Sequence, residues 1–380
     1  MAIALVNGKI FTSECWLENH VLLIDGDKIK TICAADNLPP QITTIIDLQH
    51  QRLVPGFIDT QMNGGGGVLF NDAPNIETLR TMSSAHRAFG TTGFYPTLIS
   101  DDLSVVKAAM LAVKQAIIEK VPGVLGIHLE GPFLNPERKG VHDASKFKII
   151  DEAAFNLLTS LDVGRTLITI APELTTPEMI SRFVSAGIIV AAGHSTANYA
   201  QTKIALNAGL TSFTHLFNAM TPFASREPGM VGAALEDKNS WCGIIADGFH
   251  VHPASLKVAH RAKAKGKMIL VTDAMPSAGA TDKNFILNGE LIRCENGKLT
   301  TAQGTLAGSD LTMISAVTNA VAMLEIDEDE AVRMASTYPA AMMGETQLGA
   351  IQAGFTASMV LLDNQNRVTR SWIDGKEVGE

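Results

Sequence analysis

The chain has 380 residues, enough for one large domain and a small one. It is 46% hydrophobic and 18% charged, an ordinary balance for a globular enzyme with a large core. A net charge of −9 with no basic stripe argues against nucleic acid as the main partner, and no apolar stretch reaches the ~18–20 residues of a membrane-spanning helix.

Residues 1–53 read as β-rich. Ala4-Leu-Val, Lys9-Ile-Phe and His20-Val-Leu-Leu-Ile are short apolar runs, and Asn7-Gly8 and Asp25-Gly-Asp27 mark turns between them. The N-terminal apolar run is too short for a signal peptide. Cys15, Cys33, Cys242 and Cys294 form no C-x-x-C pair and read as reduced thiols, so the expected location is the cytoplasm.

From residue 54 to 345 strand and helix patterns alternate. The expected strands are Arg52–Gln61, Gly93–Ile99, Gly123–Glu130, Leu167–Ala171, Ile188–His194, Ser212–Leu216, Gly243–Asp247 and Met268–Asp273. Gly64–Gly67, after the first, lacks the Lys-Ser/Thr of a phosphate-cradling loop and reads as a flexible loop. Amphipathic stretches lie between strands: Leu103–Lys120 behind Asp101-Asp102, and Pro177–Ala186 with Gly187 just past its end. Asn288-Gly-Glu to Gly297-Lys-Leu reads as an inserted hairpin. Leu311–Leu324 and Glu328–Thr337 read as helices, the second closed before Pro339. The last stretch, with Ala357–Asp363, Arg367–Ile373 and Asp374-Gly375, is β-rich again. The expected fold is a (β/α)8 barrel over 54–345, with a small β-sandwich built from 1–53 and 346–380.

The ends of four strands carry the chemistry. Gly126-Ile-His-Leu-Glu130, Ile189–His194, Thr211–His215 and Met268–Asp273 stop on Glu, His, His and Asp. A barrel brings such ends together however far apart they lie in sequence. Residues i and i+2 of a strand share a face, so His128 points inward with Glu130. Glu130, His194 and His215 make the three-ligand set of a catalytic Zn²⁺ site, whose metal lowers the pKa of its water towards ~7. Asp273 is then the general base that takes the water's proton and returns it to a leaving group.

Pro55-Gly-Phe-Ile-Asp59, His128-Leu-Glu130-Gly-Pro-Phe, Gly193-His194-Ser, His215-Leu-Phe-Asn218-Ala-Met, Ala246-Asp247-Gly-Phe-His250 and Val271-Thr-Asp273-Ala together resemble the amidohydrolase superfamily. More narrowly they resemble its N-acetylglucosamine-6-phosphate deacetylase family, and the likeness runs over essentially the whole chain. It implies hydrolysis of N-acetyl-D-glucosamine 6-phosphate to D-glucosamine 6-phosphate and acetate. It implies a metal held by Glu130, His194 and His215, with Asp273 as acid/base and His142 donating to the acetamide oxygen or a sugar hydroxyl. Substrate contacts are implied at Val141, Asn218, Ala219, Arg226, Asp247, His250, Leu306, Ala307 and Gly308. It also implies a homodimer, or an assembly of dimers, in which the 221–231 loop carries Arg226 to the partner's phosphate site, with Phe223 and Met230 exposed.

One departure bears on the metal count. Many members of the superfamily hold two metals with His-x-His after the first strand; Gln61 and Asn63 stand here as vestigial second-metal positions. Neutral amides are poor Zn²⁺ ligands, so the expectation is one Zn²⁺ per subunit. A cyclic-amide hydrolase of the dihydroorotase or hydantoinase kind is the nearest rival, but Thr166-Leu-Ile-Thr-Ile-Ala-Pro offers no lysine to be carbamylated. A non-catalytic sugar-phosphate-binding barrel is the rival from another class.

Overall fold

A parallel strand covered on both faces needs side chains that tolerate burial at every position, and Thr91–Ile99 meets that demand: all 9 of its residues are buried. The computed structural model describes residues 2–378. An 8-stranded sheet is formed by Phe57–Met62 (β1), Thr91–Ile99 (β2), Gly126–Glu130 (β3), Arg165–Ile170 (β4), Ile189–Ala192 (β5), Ser212–Phe213 (β6), Trp241–Ile244 (β7) and Met268–Leu270 (β8). Each pairs in parallel with the next, and helices run between most of them on the outside. The ring closes at a seam: Asp273 N–H donates to Gln61 O at 2.9 Å, and Asn63 N–H to Ala274 O at 2.9 Å.

The expected first strand, Arg52–Gln61, is two strands broken at Gly56. Arg52–Pro55 belongs to the terminal sheet, and only Phe57–Met62 enters the barrel. A Cβ at Gly56 would sit 1.9 Å from Thr92 Oγ1, so the chain can pass between the two sheets only as glycine. The terminal sheet is also 8-stranded and joins both ends of the chain, with Met359–Leu362 antiparallel to Arg52–Pro55. It is one sheet with apolar side chains on both faces: Leu5, Leu53 and Trp372 in one cluster, Ala4, Val21 and Leu23 in another.

Two further expectations change. The Gly64–Gly67 loop is tied down, because Gly64, Gly66 and Gly67 N–H groups donate to Ala274, Ala278 and Pro276 carbonyls. His86, on the helix Ile76–Arg87, is buried beneath that loop and bonds Gly64 O through Nε2 at 2.8 Å. Burial holds its pKa down to about 4. The helix Glu328–Ala335 is followed by a second, Thr337–Met343, which contains Pro339 in its first turn, where the missing N–H leaves no helical bond unmade.

The insertion after β8 is a three-stranded meander, Phe285–Leu287, Glu290–Glu295 and Lys298–Thr300. Its Leu287, Ile292 and Leu299 pack on Ile99 and Met275, so it is fixed over the C-terminal rim of the barrel.

Candidate active site

Glu130 is the last residue of β3, and His194, His215 and Asp273 follow the ends of β5, β6 and β8 within three residues. His194, His215 and Asp273 have φ of 48°, 33° and 53°. Left-handed backbone is unfavourable for these side chains and persists only where the surroundings enforce it. Three such residues at one rim mark a built site.

Glu130 Oε1 stands 3.1 Å from His194 Nε2 and 2.9 Å from His215 Nε2, and the two nitrogens are 3.0 Å apart. These edges suit three ligands around one small divalent ion with bonds of ~2.0–2.2 Å. His194 Nδ1–H donates to Arg138 O at 2.8 Å, which turns the Nε2 lone pair towards the centre. Burial alone would raise the Glu130 carboxyl, but its bonds to His194 and His215 hold it well below the usual range. Burial disfavours charge on His215 too, and Glu130 outweighs that, raising its affinity for a proton. The donor set fits a divalent metal, which would take the place of that proton.

Asp273 lies beside this triangle. Burial, then the charge of Glu130, raises its carboxyl to about 6. Asn63 Nδ2 donates to Asp273 Oδ1 at 2.7 Å, and Gln61 Nε2 lies 3.2 Å from both Asp273 Oδ1 and Glu130 Oε2. Beneath them Asp59 is fully buried and accepts from Thr272 and from the Gln61 N–H. His128 bridges Thr97 and Thr169 below Glu130, and burial lowers its pKa to about 4.

A cavity of about 220 Å³ opens onto the triangle. Val141, His142, Asn218, Ala219, His250, Leu306 and Gly308 all border it. The Ser100 N–H, which can only donate, reaches His142 Nδ1 at 3.3 Å, so the ring proton sits on Nε2. Burial, then His194, pushes the His142 pKa to about 3, so the ring is a neutral N–H donor. His250 Nδ1 meets Asp247 Oδ2 at 2.6 Å. Burial raises the Asp247 carboxyl, but His250 and the N–H groups of Phe249 and His250 outweigh it and keep the carboxylate charged.

Some of the expected contacts lie elsewhere. Asp247 acts on the cavity only through His250, and Ala307 is buried behind Leu306 and Gly308. Arg226 is exposed on its loop and does not border the cavity. Met230, expected at the surface, is fully buried in the helix Gly229–Glu236, whereas Phe223 is 67% exposed. Ser100, Ile99, Met275 and Thr305 were not anticipated. The first two could have been read from the end of β2 by the same strand-end rule, while Thr305 follows the meander and carries no local signal.

Residues 52–378 match the amidohydrolase family model. The chain belongs to the amidohydrolase family. Residues 3–53 match the NagA composite domain. This amidohydrolase is 47% identical to the N-acetylgalactosamine-6-phosphate deacetylase of Shewanella sp. (strain ANA-3), over 87% of this chain and 85% of that one. The crystal structure of the N-acetylglucosamine-6-phosphate deacetylase of Pasteurella multocida superposes with a TM-score of 0.96 at 36% identity, covering 100% of both chains. A mutant of the Mycobacterium smegmatis N-acetyl-D-glucosamine-6-phosphate deacetylase, in complex with N-acetyl-D-glucosamine-6-phosphate, superposes with a TM-score of 0.89 at 31% identity over 99% of this chain and 98% of that one. As a member of this family the chain is a metal-dependent hydrolase, and Glu130, His194 and His215 are the cluster that could hold its ion.

Proposed function

We propose that this amidohydrolase removes the acetyl group from N-acetyl-D-glucosamine 6-phosphate, giving D-glucosamine 6-phosphate and acetate. The observation that carries the reading is the Glu130–His194–His215 triangle with Asp273 beside it, in one cavity, on a chain that matches the named deacetylases along its length. The same residues speak against a non-catalytic binding barrel.

Glu130, His194 and His215 would hold one divalent metal, Zn²⁺ by its Glu/His preference, which supplies Lewis-acid activation of water and of the acyl carbonyl. Asp273 takes a proton from water as the water oxygen bonds to the acyl carbon. It returns that proton to the sugar nitrogen as the C–N bond breaks. His142 Nε2–H donates to the developing oxyanion. Val141, Leu306 and the Gly308 backbone shape the sugar pocket. Asn218 and Ala219 offer polar groups to the phosphate in a turn where Phe217 and Ala219 adopt left-handed φ of 79° and 51°. His250, held by Asp247, adds a further donor.

We assign the catalytic unit to residues 54–345 and the terminal sheet to 1–53 with 346–380. The enzyme acts in the cytoplasm as a homodimer. Phe223 and Phe249, 67% and 41% exposed on loops after β6 and β7, support an interface at this rim. Arg226 would then complete the partner's phosphate site.

The galactosamine epimer is the second reading, favoured by the 47% identical Shewanella relative. Release of free amine from both purified 6-phosphates tests the proposal. Turnover of the glucosamine compound at a higher kcat/KM supports it. Preference for the galactosamine compound selects the second reading, and release from neither sinks both.

A further inference from the structure

The seam that closes the barrel also holds the proton carrier. Asp273 N–H bonds Gln61 O, and the Asn63 and Gly64 N–H groups bond Ala274 O, so β1 and the end of β8 are fixed to one another by backbone. Across this seam two side-chain amides face the same carboxylate oxygen: Asn63 Nδ2 at 2.7 Å and Gln61 Nε2 at 3.2 Å from Asp273 Oδ1.

An amide can be turned either way round, and its neighbours decide which. Here both amides face carboxylates, and turning either would put a carbonyl oxygen against a carboxylate oxygen. Asn63 keeps this orientation although its own Oδ1 is left buried without a hydrogen-bond partner. Both residues are buried, at 2% and 1% exposure, and Asp273 itself sits in left-handed backbone that needs support. Asp273 Oδ2 takes part in none of these bonds.

We propose that Gln61 and Asn63 are positioning residues for Asp273: a clamp of neutral donors that pins Oδ1 and reserves Oδ2 as the oxygen that takes and returns the proton. This rests on the deacetylase reading, in which Asp273 is the base. The proton balances. Oδ2 accepts it as the water oxygen bonds to carbon and releases it to nitrogen as the C–N bond breaks, and Asp273 ends as it began. Amide donors suit this cycle because Oδ1 can accept from them whether Asp273 is a carboxylate or a carboxylic acid. A cation in the same place would favour the carboxylate and oppose the first transfer.

The test compares Asn63→Ala, Asn63→Leu and Gln61→Ala in the wild-type and Asp273→Asn backgrounds, reading kcat, KM, metal content and the crystal structure. A misplaced proton carrier should cost Asn63→Ala about 10- to 100-fold in kcat, with KM and metal content near wild type. Asn63→Leu keeps about the same volume without the donor and should be no better. In the Asp273→Asn background neither Asn63 change should lower the residual rate further, because nothing remains to position. Near-native kcat, equal losses in both backgrounds, or loss of metal in step with activity overturns the clamp. If wild type releases amine from neither sugar phosphate, the functional reading fails separately. The clamp is then judged on the structures alone: an Asp273 carboxylate that turns in Asn63→Ala supports it, and an unmoved one overturns it.

Discussion

His194 Nε2 and His215 Nε2 stand 3.0 Å apart, each also within about 3 Å of Glu130 Oε1. The two ring nitrogens meet over one carboxylate oxygen, and a metal bound there would replace the proton that Glu130 stabilises on His215. Metal loading of the chelated protein should therefore release protons, measurable by calorimetry in buffers of different ionisation enthalpy. Affinity should fall as pH falls. Metal analysis should find about one equivalent per chain, and His194→Ala should lose metal and activity together. Two tightly bound equivalents would contradict the single-site reading.

Asp273→Asn preserves shape and the bonds from Asn63 and Gln61 but removes the carboxylate that the proposed mechanism uses as proton acceptor. We expect kcat to drop by ~10²–10⁴, the usual contribution of a general base, with metal content nearly unchanged. Steady-state rates alongside metal analysis check this. Near-native turnover would place the base elsewhere.

The strand ends were the legible part of this chain. Glu130, His194, His215 and Asp273 could be read because apolar runs terminate on them, and that pattern needs no knowledge of neighbours. Gln61 and Asn63 were readable only as what they are not, poor metal ligands; their amides acquire a direction from carboxylates more than 60 residues away in sequence. The Gly64–Gly67 loop looked flexible because glycine is locally permissive. Its glycines instead admit close neighbours, with a Cβ at Gly65 reaching 2.3 Å from His86 Nε2. Burial of His86 and Met230 was likewise hidden, since each depends on which segment lies over it.

Asp59 gives a pH signature outside the chemistry. Burial raises its carboxyl from 3.8 to about 7, against the bonds from Thr272 and Gln61. The folded state therefore keeps a proton that the unfolded chain has lost. The stability this group contributes is fully present below pH ~4 and is lost as pH rises through ~7, with a slope of at most ~1.4 kcal/mol per pH unit for one proton. Asp59→Asn should flatten the stability–pH curve between these limits, whatever it does to stability at any one pH. Urea unfolding at several pH values measures the slope. Parallel curves for the two proteins would mean that Asp59 titrates normally.

Arg226 is exposed and stands outside the cavity, on the loop that carries exposed Phe223. If it completes the partner's phosphate site, Arg226→Ala should weaken the 6-phosphate substrate far more than unphosphorylated N-acetylated sugar. A mixed dimer, with Arg226→Ala on one chain and Asp273→Asn on the other, separates the geometries. When Arg226 acts across the dimer, one site carries both defects and the other neither, so about half the wild-type activity survives with native KM. When it acts within its own chain, each site carries one defect and no native-like site remains. An Arg226→Ala protein with unchanged KM for the phosphorylated sugar would remove Arg226 from the site altogether and leave the phosphate to Asn218, Ala219 and His250.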